Sequence, residues 1–181
     1  MDAPDLSFAL VTRELLEKFQ DFSCGSEEWN TDLNEFLPEY ALDDLQQRRN
    51  STYLFFDPDE CAVAYVVVAN QELRFDRNSW LETFFTRNKY GGIPALFIGR
   101  IAVSQSYQNM RIGSTILALV RRWAEESMVP HRVIVLEVDE RNEGAKRLYE
   151  RGGFTHVFTR KGGRMLMMSD LGSRRGGVRV V

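Results

Sequence analysis

Two cysteines, Cys24 and Cys61, are too few for a disulfide framework or a four-thiolate zinc site. Two histidines, His131 and His156, make a histidine-rich metal centre a poor expectation. Thirteen glycines and five prolines in 181 residues exclude collagen-like and mucin-like chains. The longest apolar runs, such as Ala62 to Ala69, fall far short of the roughly 20 residues that cross a bilayer. Met1-Asp-Ala-Pro-Asp lacks the basic, then apolar, order of a secretory signal, so a soluble cytoplasmic protein is expected. With 44% hydrophobic and 27% charged residues, the chain has enough apolar side chains for one ordinary globular domain and too many for a disordered one.

A formal net charge of −3 conceals an uneven distribution. Residues 1–60 hold 4 basic and 15 acidic side chains, residues 61–159 hold 13 and 10, and residues 160–181 hold 6 and 1. The last two thirds suit anionic partners and the first third repels them. A solvated surface with a basic tail explains the same counts, and the positions of the motifs decide between the two.

Leu6 to Val11 reads as a first strand, and Thr12 caps a short helix. Trp29, Leu33, Phe36 and Leu37 recur at helical spacing until Pro38, where a kink or a restart is expected before Tyr40, Leu42 and Leu45. Ser51 to Phe56 and Cys61 to Ala69 form a predicted hairpin around Asp57-Pro-Asp-Glu60. Residues 70–93 are ambiguous, with a short strand near Leu73 and a helix through Trp80 to Phe85. Ala95 to Val103 reads as a buried strand and Ser104 to Arg111 as a loop. A helix carrying Ile116, Leu117, Val120 and Trp123 follows, ended by Pro130-His131. Val133 to Val138 is a strand, Asn142 to Arg151 a helix, and Phe154 to Thr159 with Met165 to Met168 a second hairpin. The order is mixed α+β with one βαβ crossover.

The loop Gln108-Asn109-Met110-Arg111-Ile112-Gly113-Ser114 lies between a buried strand and an amphipathic helix. Unpaired backbone N–H groups at the positive end of a helix dipole are a seat for phosphate oxygens. Gly113 allows close approach, Ser114 offers a hydroxyl, and Arg111 adds positive charge. Neither GxxxxGK[ST] nor GxGxxG occurs, so the phosphate loops of nucleotide enzymes are excluded. Further on stands Asn142-Glu-Gly-Ala145-Lys-Arg-Leu-Tyr149-Glu-Arg-Gly-Gly153-Phe154. Together the two segments resemble the Gcn5-related N-acetyltransferase (GNAT) superfamily. Its loop reads Gln/Arg-x-x-Gly-x-Gly/Ala and its later helix Asn-x-x-Ala-x-x-x-Tyr-x-x-x-Gly-Phe. The second pattern fits throughout; the first fits at Gln108 and Gly113, with Arg111 in a glycine position.

The resemblance implies an α/β GNAT fold over residues 1–170, with a flexible basic tail over 171–181. It implies a mixed, mostly antiparallel sheet of six or seven strands with helices on both faces. Acetyl-CoA is the implied co-substrate, with no metal, in a V-shaped splay between the strands ending near Val103 and Val138. The pantetheine arm pairs with backbone groups of Ile101 and Val103, the pyrophosphate rests on the amides from Gln108 to Ser114, and Asn142 reaches the arm. Tyr149 is the implied general acid for the departing thiolate, though helical spacing with Ala145 and Leu148 also suits a core aromatic. Glu137 and Asp139 share one side of a strand and are the candidate bases, or solvate its end. His131 and His156 are read as bystanders.

Phe22-Ser-Cys24-Gly25-Ser-Glu-Glu-Trp-Asn30-Thr-Asp-Leu33, with Ala41 and Ser51-Thr-Tyr53, is similar to a branch of that superfamily. The branch includes toxins of toxin–antitoxin pairs that acetylate aminoacyl-tRNA. A tRNA acceptor does not follow from membership of the branch: small-molecule, peptide and aminoacyl-tRNA amines stay open as acceptors. An antitoxin stays open as partner, and the edge of the final hairpin offers a surface for a homodimer. Basic candidates for a nucleic-acid face are Arg48, Arg49, Arg74, Arg77, Arg87, Lys89, Arg174, Arg175 and Arg179, although the acidic first third opposes it. Cys24-Gly25 also reads as a tight turn. Rival readings are a non-catalytic acyl-CoA-binding module and a nucleic-acid binder using the tail.

Overall fold

A computed structural model describes residues 5–74 and 92–172. The expected helix through Trp80 to Phe85 and the basic tail beyond residue 172 lie outside the described residues. In chain order the elements are β1 (Ser7–Leu10), α1 (Arg13–Glu17), α2 (Thr31–Glu39), α3 (Ala41–Gln46), β2 (Ser51–Phe56) and β3 (Ala62–Leu73). Then come β4 (Ile93–Val103), α4 (Ile112–Glu126), β5 (Val133–Asp139), α5 (Glu143–Arg151), β6 (Thr155–Arg160) and β7 (Arg164–Asp170). The strands form one seven-stranded sheet in the order β1-β2-β3-β4-β5-β7-β6, with β4 and β5 parallel and every other pair antiparallel. This is the mixed, mostly antiparallel architecture that the resemblance implies.

β3 is buried from Val63 to Val68 because both of its faces are covered, which explains its unbroken apolar run. On one face, Ile112, Ile116, Leu117, Val120 and Ala124 of α4 and Tyr149 of α5 pack with Val66, Ile98, Ile134 and Leu136. On the other, Phe36, Leu37 and Ala41 of α2 and α3 pack with Leu54, Phe56, Tyr65 and Ala102. Each helix buries one stripe, as its spacing dictates.

Turn chemistry sets the boundaries. Asp57 Oδ1 accepts the N–H groups of Asp59 (3.0 Å) and Cys61 (2.8 Å), which closes the β2–β3 hairpin. Pro38 sits inside α2, where it has no N–H for the Asn34 carbonyl. The chain restarts across Tyr40, whose carbonyl accepts from Asp44 N–H, so α3 is the restart. The crossover helix ends at Glu126, four residues before Pro130. Ser127 is extended there and its Oγ accepts the Val129 N–H at 3.2 Å, so the side chain halts the helix before the proline does.

Candidate active site

The register of β3 on β4 shifts between Val67 and Val68, which pair with Arg100 and Ile98 and leave Gly99 as the extra residue. Such a bulge bends the strand and reverses the phase of its side chains. Leu96 and Ile98 before it and Ile101 and Val103 after it therefore pack on the same core. Pairing of β4 with β5 runs only from Ala95↔Val133 to Ile98↔Leu136. Beyond the bulge the two strands part, and the splay expected near Val103 and Val138 is present.

Ser104 N–H donates to the Val63 carbonyl at 2.8 Å. Residues alternate in an antiparallel ladder, so Val103 opposite Ala64 and Ile101 opposite Val66 turn their N–H and C=O away from β3. They face the side that β5 has vacated. A cleft of ≈ 840 Å³ opens there, lined by Ile101, Val103, Gln108, Asn109, residues 111–114, Asn142 and one face of α5.

In the loop, the backbone N–H groups of Asn109, Met110, Arg111, Ile112, Gly113 and Ser114 donate to no acceptor among the described residues. Asn109 (φ 67°) and Arg111 (φ 61°) both adopt the left-handed conformation. Left-handed residues set among right-handed ones gather successive N–H groups into an anion-binding concavity. Arg111 thus takes the backbone shape that glycine usually supplies, at a strain of about 1–2 kcal/mol for a side-chain-bearing residue.

Three details differ from expectation. Gln108 does not leave its own N–H bare: it turns back toward the Gln105 carbonyl (3.4 Å), so the open amides begin at Asn109. Met110 does not line the cleft and packs against the core. A Cβ at Gly113 would meet Leu148 Cδ2 at 2.8 Å, so the missing side chain makes room for α5 rather than directly for an anion.

Asn142 lines the cleft and caps α5, its Oδ1 accepting Ala145 N–H at 3.0 Å. Gly144, Ala145, Leu148 and Arg151 of α5 line the cleft as well. Tyr149 is only 8% exposed and lies in the core with Phe154, ring centroids 6.0 Å apart. It is not among the cleft-lining residues, and burial pushes its hydroxyl up to about 12. Both candidate bases are engaged. Glu137 pairs with Arg160 at 2.8 Å, and Asp139 pairs with Arg141 at 2.8 Å, which draws its carboxyl down to about 2. A carboxylate so stabilised is a weak proton acceptor. His131 bonds Asn70 and His156 bonds Thr159, both away from the cleft.

Cys24, Glu27, Trp29, Asn30 and Leu33 form the opposite wall. Burial pushes the Cys24 thiol up to about 11, so it stays protonated and is no nucleophile. Trp29, Glu27 and Arg151 escaped the sequence reading because no local pattern marks them; only the convergence of the 27–30 segment and the end of α5 on one cleft brings them together. Of the proposed nucleic-acid face, Arg49 is held by Asp43 and Asp44 and Arg74 by Glu72. Arg77, Arg87, Lys89, Arg174, Arg175 and Arg179 lie outside the described residues. Among the described residues, no helix is long and apolar enough to cross a membrane.

Residues 22–154 match the profile described as the acetyltransferase (GNAT) family. Compared by sequence with curated proteins, the chain has no match. Among solved structures, one described as a bacterial toxin is similar at a TM-score of 0.76 and 14% identity, covering 94% of this chain and 93% of that one. AtaT complexed with acetyl-methionyl-tRNAfMet is similar at 0.69 and 20% identity, over 90% of this chain and 94% of the other. AtaTR bound with AcCoA is similar at 0.68 and 22% identity, over 90% and 92%. At such identities the likeness is one of fold. The matched profile runs from the Cys24 loop through the splayed strands to Phe154, and on that ground this chain belongs to the GNAT family of acetyltransferases.

Proposed function

We propose that the protein moves an acetyl group from acetyl-CoA to a primary amine by direct attack. The observation that carries this reading is the row of six bare amides from Asn109 to Ser114, beside a cleft edged by the backbone groups of Ile101 and Val103 that face away from β3. A diphosphate needs several weak donors at once, since one exposed first-turn contact is worth about 0.3–1 kcal/mol. The unpaired edge of β4 suits the amides of a pantetheine arm, which add to it like a strand. Asn142, released from its cap, is the residue to meet that arm.

The amine nitrogen attacks the thioester carbonyl and the C–S bond breaks. The Tyr149 hydroxyl, kept protonated at neutral pH by burial, is the donor that the motif position implies for the thiolate. Because Ala145 and Leu148 line the cleft and Tyr149 does not, this step requires the wall to open on the bound cofactor so that the hydroxyl reaches the sulfur. The hydroxyl then regains a proton from water. The attacking amine loses its proton to solvent, which suits a cleft whose two candidate carboxylates are tied to arginines. Tyr149 lies one turn from Ala145 and beside Leu148, both of which line the cleft.

An aminoacyl-tRNA acceptor, with an antitoxin as protein partner, is the second reading. The Phe22–Leu33 pattern favours it, as does the similarity in fold to toxins, one of them complexed with an acetylated aminoacyl-tRNA. Against it stand the acidic first third and the neutralisation of Arg49 and Arg74. Calorimetry with CoA, followed by transfer of radiolabelled acetyl to small amines, peptides and aminoacyl-tRNAs, tests both. Binding and transfer to one acceptor class are expected. Binding without transfer to any amine would instead favour a non-catalytic acyl-CoA module, and no binding would refute the cleft assignment.

A further inference from the structure

The Cys24-Gly25 turn is gripped from two sides. From α2, Asn34 Oδ1 accepts the Cys24 N–H at 2.9 Å and the thiol at 3.2 Å, while Asn34 Nδ2 donates to the Gly25 carbonyl at 2.9 Å. From the cofactor loop, Gln108 Nε2 donates to the Cys24 carbonyl at 2.8 Å and reaches the Val103 carbonyl at 3.3 Å. Asn30 Nδ2 adds a second donor to the Cys24 carbonyl at 3.2 Å, and Gln105 N–H donates to the Ser23 carbonyl at 2.9 Å. The Cys24 residue thus joins α2 to the loop that carries the bare amides. Gly25, at φ +116°, gives the turn a shape that other residues rarely adopt.

We infer that Asn34 is a positioning residue for the cofactor loop, acting through the backbone of Cys24 and the side-chain amide of Gln108. Asn34 does not line the cleft, so it exerts no direct contact there. Its two amide atoms fix the orientation of the Cys24 backbone, which fixes Gln108, and Gln108 holds the stem from which Asn109 and Arg111 take their left-handed turns. A half-buried network of amides that grips the buried Cys24 from both sides holds one geometry rather than several. The segment between Phe22 and Leu33 thereby acquires a role separate from any acceptor it contacts. The inference borrows from the proposed function only the choice of CoA as probe.

The test uses the full chain as Asn34→Asp, Gln108→Glu and the double variant, with CoA titrated by calorimetry and amide hydrogen exchange followed over residues 105–114. Asn34→Asp keeps an oxygen for the Cys24 N–H and loses the donor to Gly25; Gln108→Glu loses the donor to Cys24. Asn34→Asp is expected to weaken CoA at least tenfold, about 1.4 kcal/mol, and to speed loop exchange at least as much. The double variant is expected to be no more than twofold worse than the poorer single one, because both act through one residue. Asn50→Ala, at the far end of the sheet and matched for loss of Tm, is expected to leave CoA affinity within twofold. Unchanged loop exchange in Asn34→Asp, or fully multiplicative losses in the double variant, would overturn the inference. Should wild-type chain bind no CoA, the exchange measurement still decides the matter while the acetyl-CoA reading fails alone. If Asn34→Asp does not fold, Asn34→Ser, which keeps a shorter donor and acceptor, is read the same way.

Discussion

Replacing Arg111 by glycine sets two effects against each other. At φ 61° and ψ 7° the arginine occupies the left-handed region, and a glycine there is free of the Cβ clash worth about 1–2 kcal/mol. Glycine also loosens the unfolded chain, which offsets roughly 0.5–1 kcal/mol of that gain. The expected net change is a stabilisation of about 0.5–1 kcal/mol. Arg111 has no carboxylate partner among the described ion pairs and borders the cleft, so its charge is available to a phosphate. An exposed ion pair contributes up to about 1 kcal/mol and weakens with salt. Arg111→Gly should therefore raise the Kd for CoA about two- to fivefold at low salt, and the gap should narrow as salt increases. Urea denaturation reads the first effect and calorimetry at two ionic strengths the second. Arg111→Ala separates them, since it keeps the strain and loses the charge. A glycine variant that is less stable and binds CoA with unchanged affinity would refute both the strain and the placement of the charge.

Other substitutions probe the remaining elements. Gly113→Ala should cost at most about 1.5 kcal/mol in denaturation, because the methyl meets the movable end of Leu148, whereas Gly113→Trp should abolish CoA binding. Tyr149→Phe should lower turnover at least about tenfold, roughly 1.4 kcal/mol, with Tm and CoA affinity little changed; full activity would remove the hydroxyl from the mechanism. Asp139 has a carboxyl held down to about 2 by Arg141, so its stabilising pair is present above its ordinary value near 3.8 and lost as pH falls through 2. Asp139→Asn should thus cost about 1 kcal/mol at pH 7, discounted for the exposed arginine. That difference should vanish between pH 4 and 2 in acid denaturation.

Much of the sheet was legible because the inner strands carry apolar runs bounded by turn residues. The hairpin around Asp57 could be read from Asp57 and Pro58 alone, since an aspartate closing its own turn is local chemistry. Tyr149 shows the opposite case. Its motif position marked it as a site residue and its helical spacing marked it as a core residue, and the structure buries it beside Phe154. Glu137 and Asp139 looked equally free on paper, yet each found an arginine: Arg160, 23 residues on, and Arg141, two residues on.

The amino-acid order alone picked out residues 108–114 as the candidate anion-binding loop, because a strand, a short loop and an amphipathic helix follow one another there. The unbroken apolar run of β3 likewise suits a strand covered on both faces. What the order could not reveal is the bulge at Gly99, which flips the phase of β4 and ends its pairing with β5, or the meeting of Cys24, Gln108 and Asn34 across 84 and 10 residues. Local propensity is a property of neighbours in the chain. Strand register and hydrogen bonds between distant loops arise only when the packed core brings those loops together.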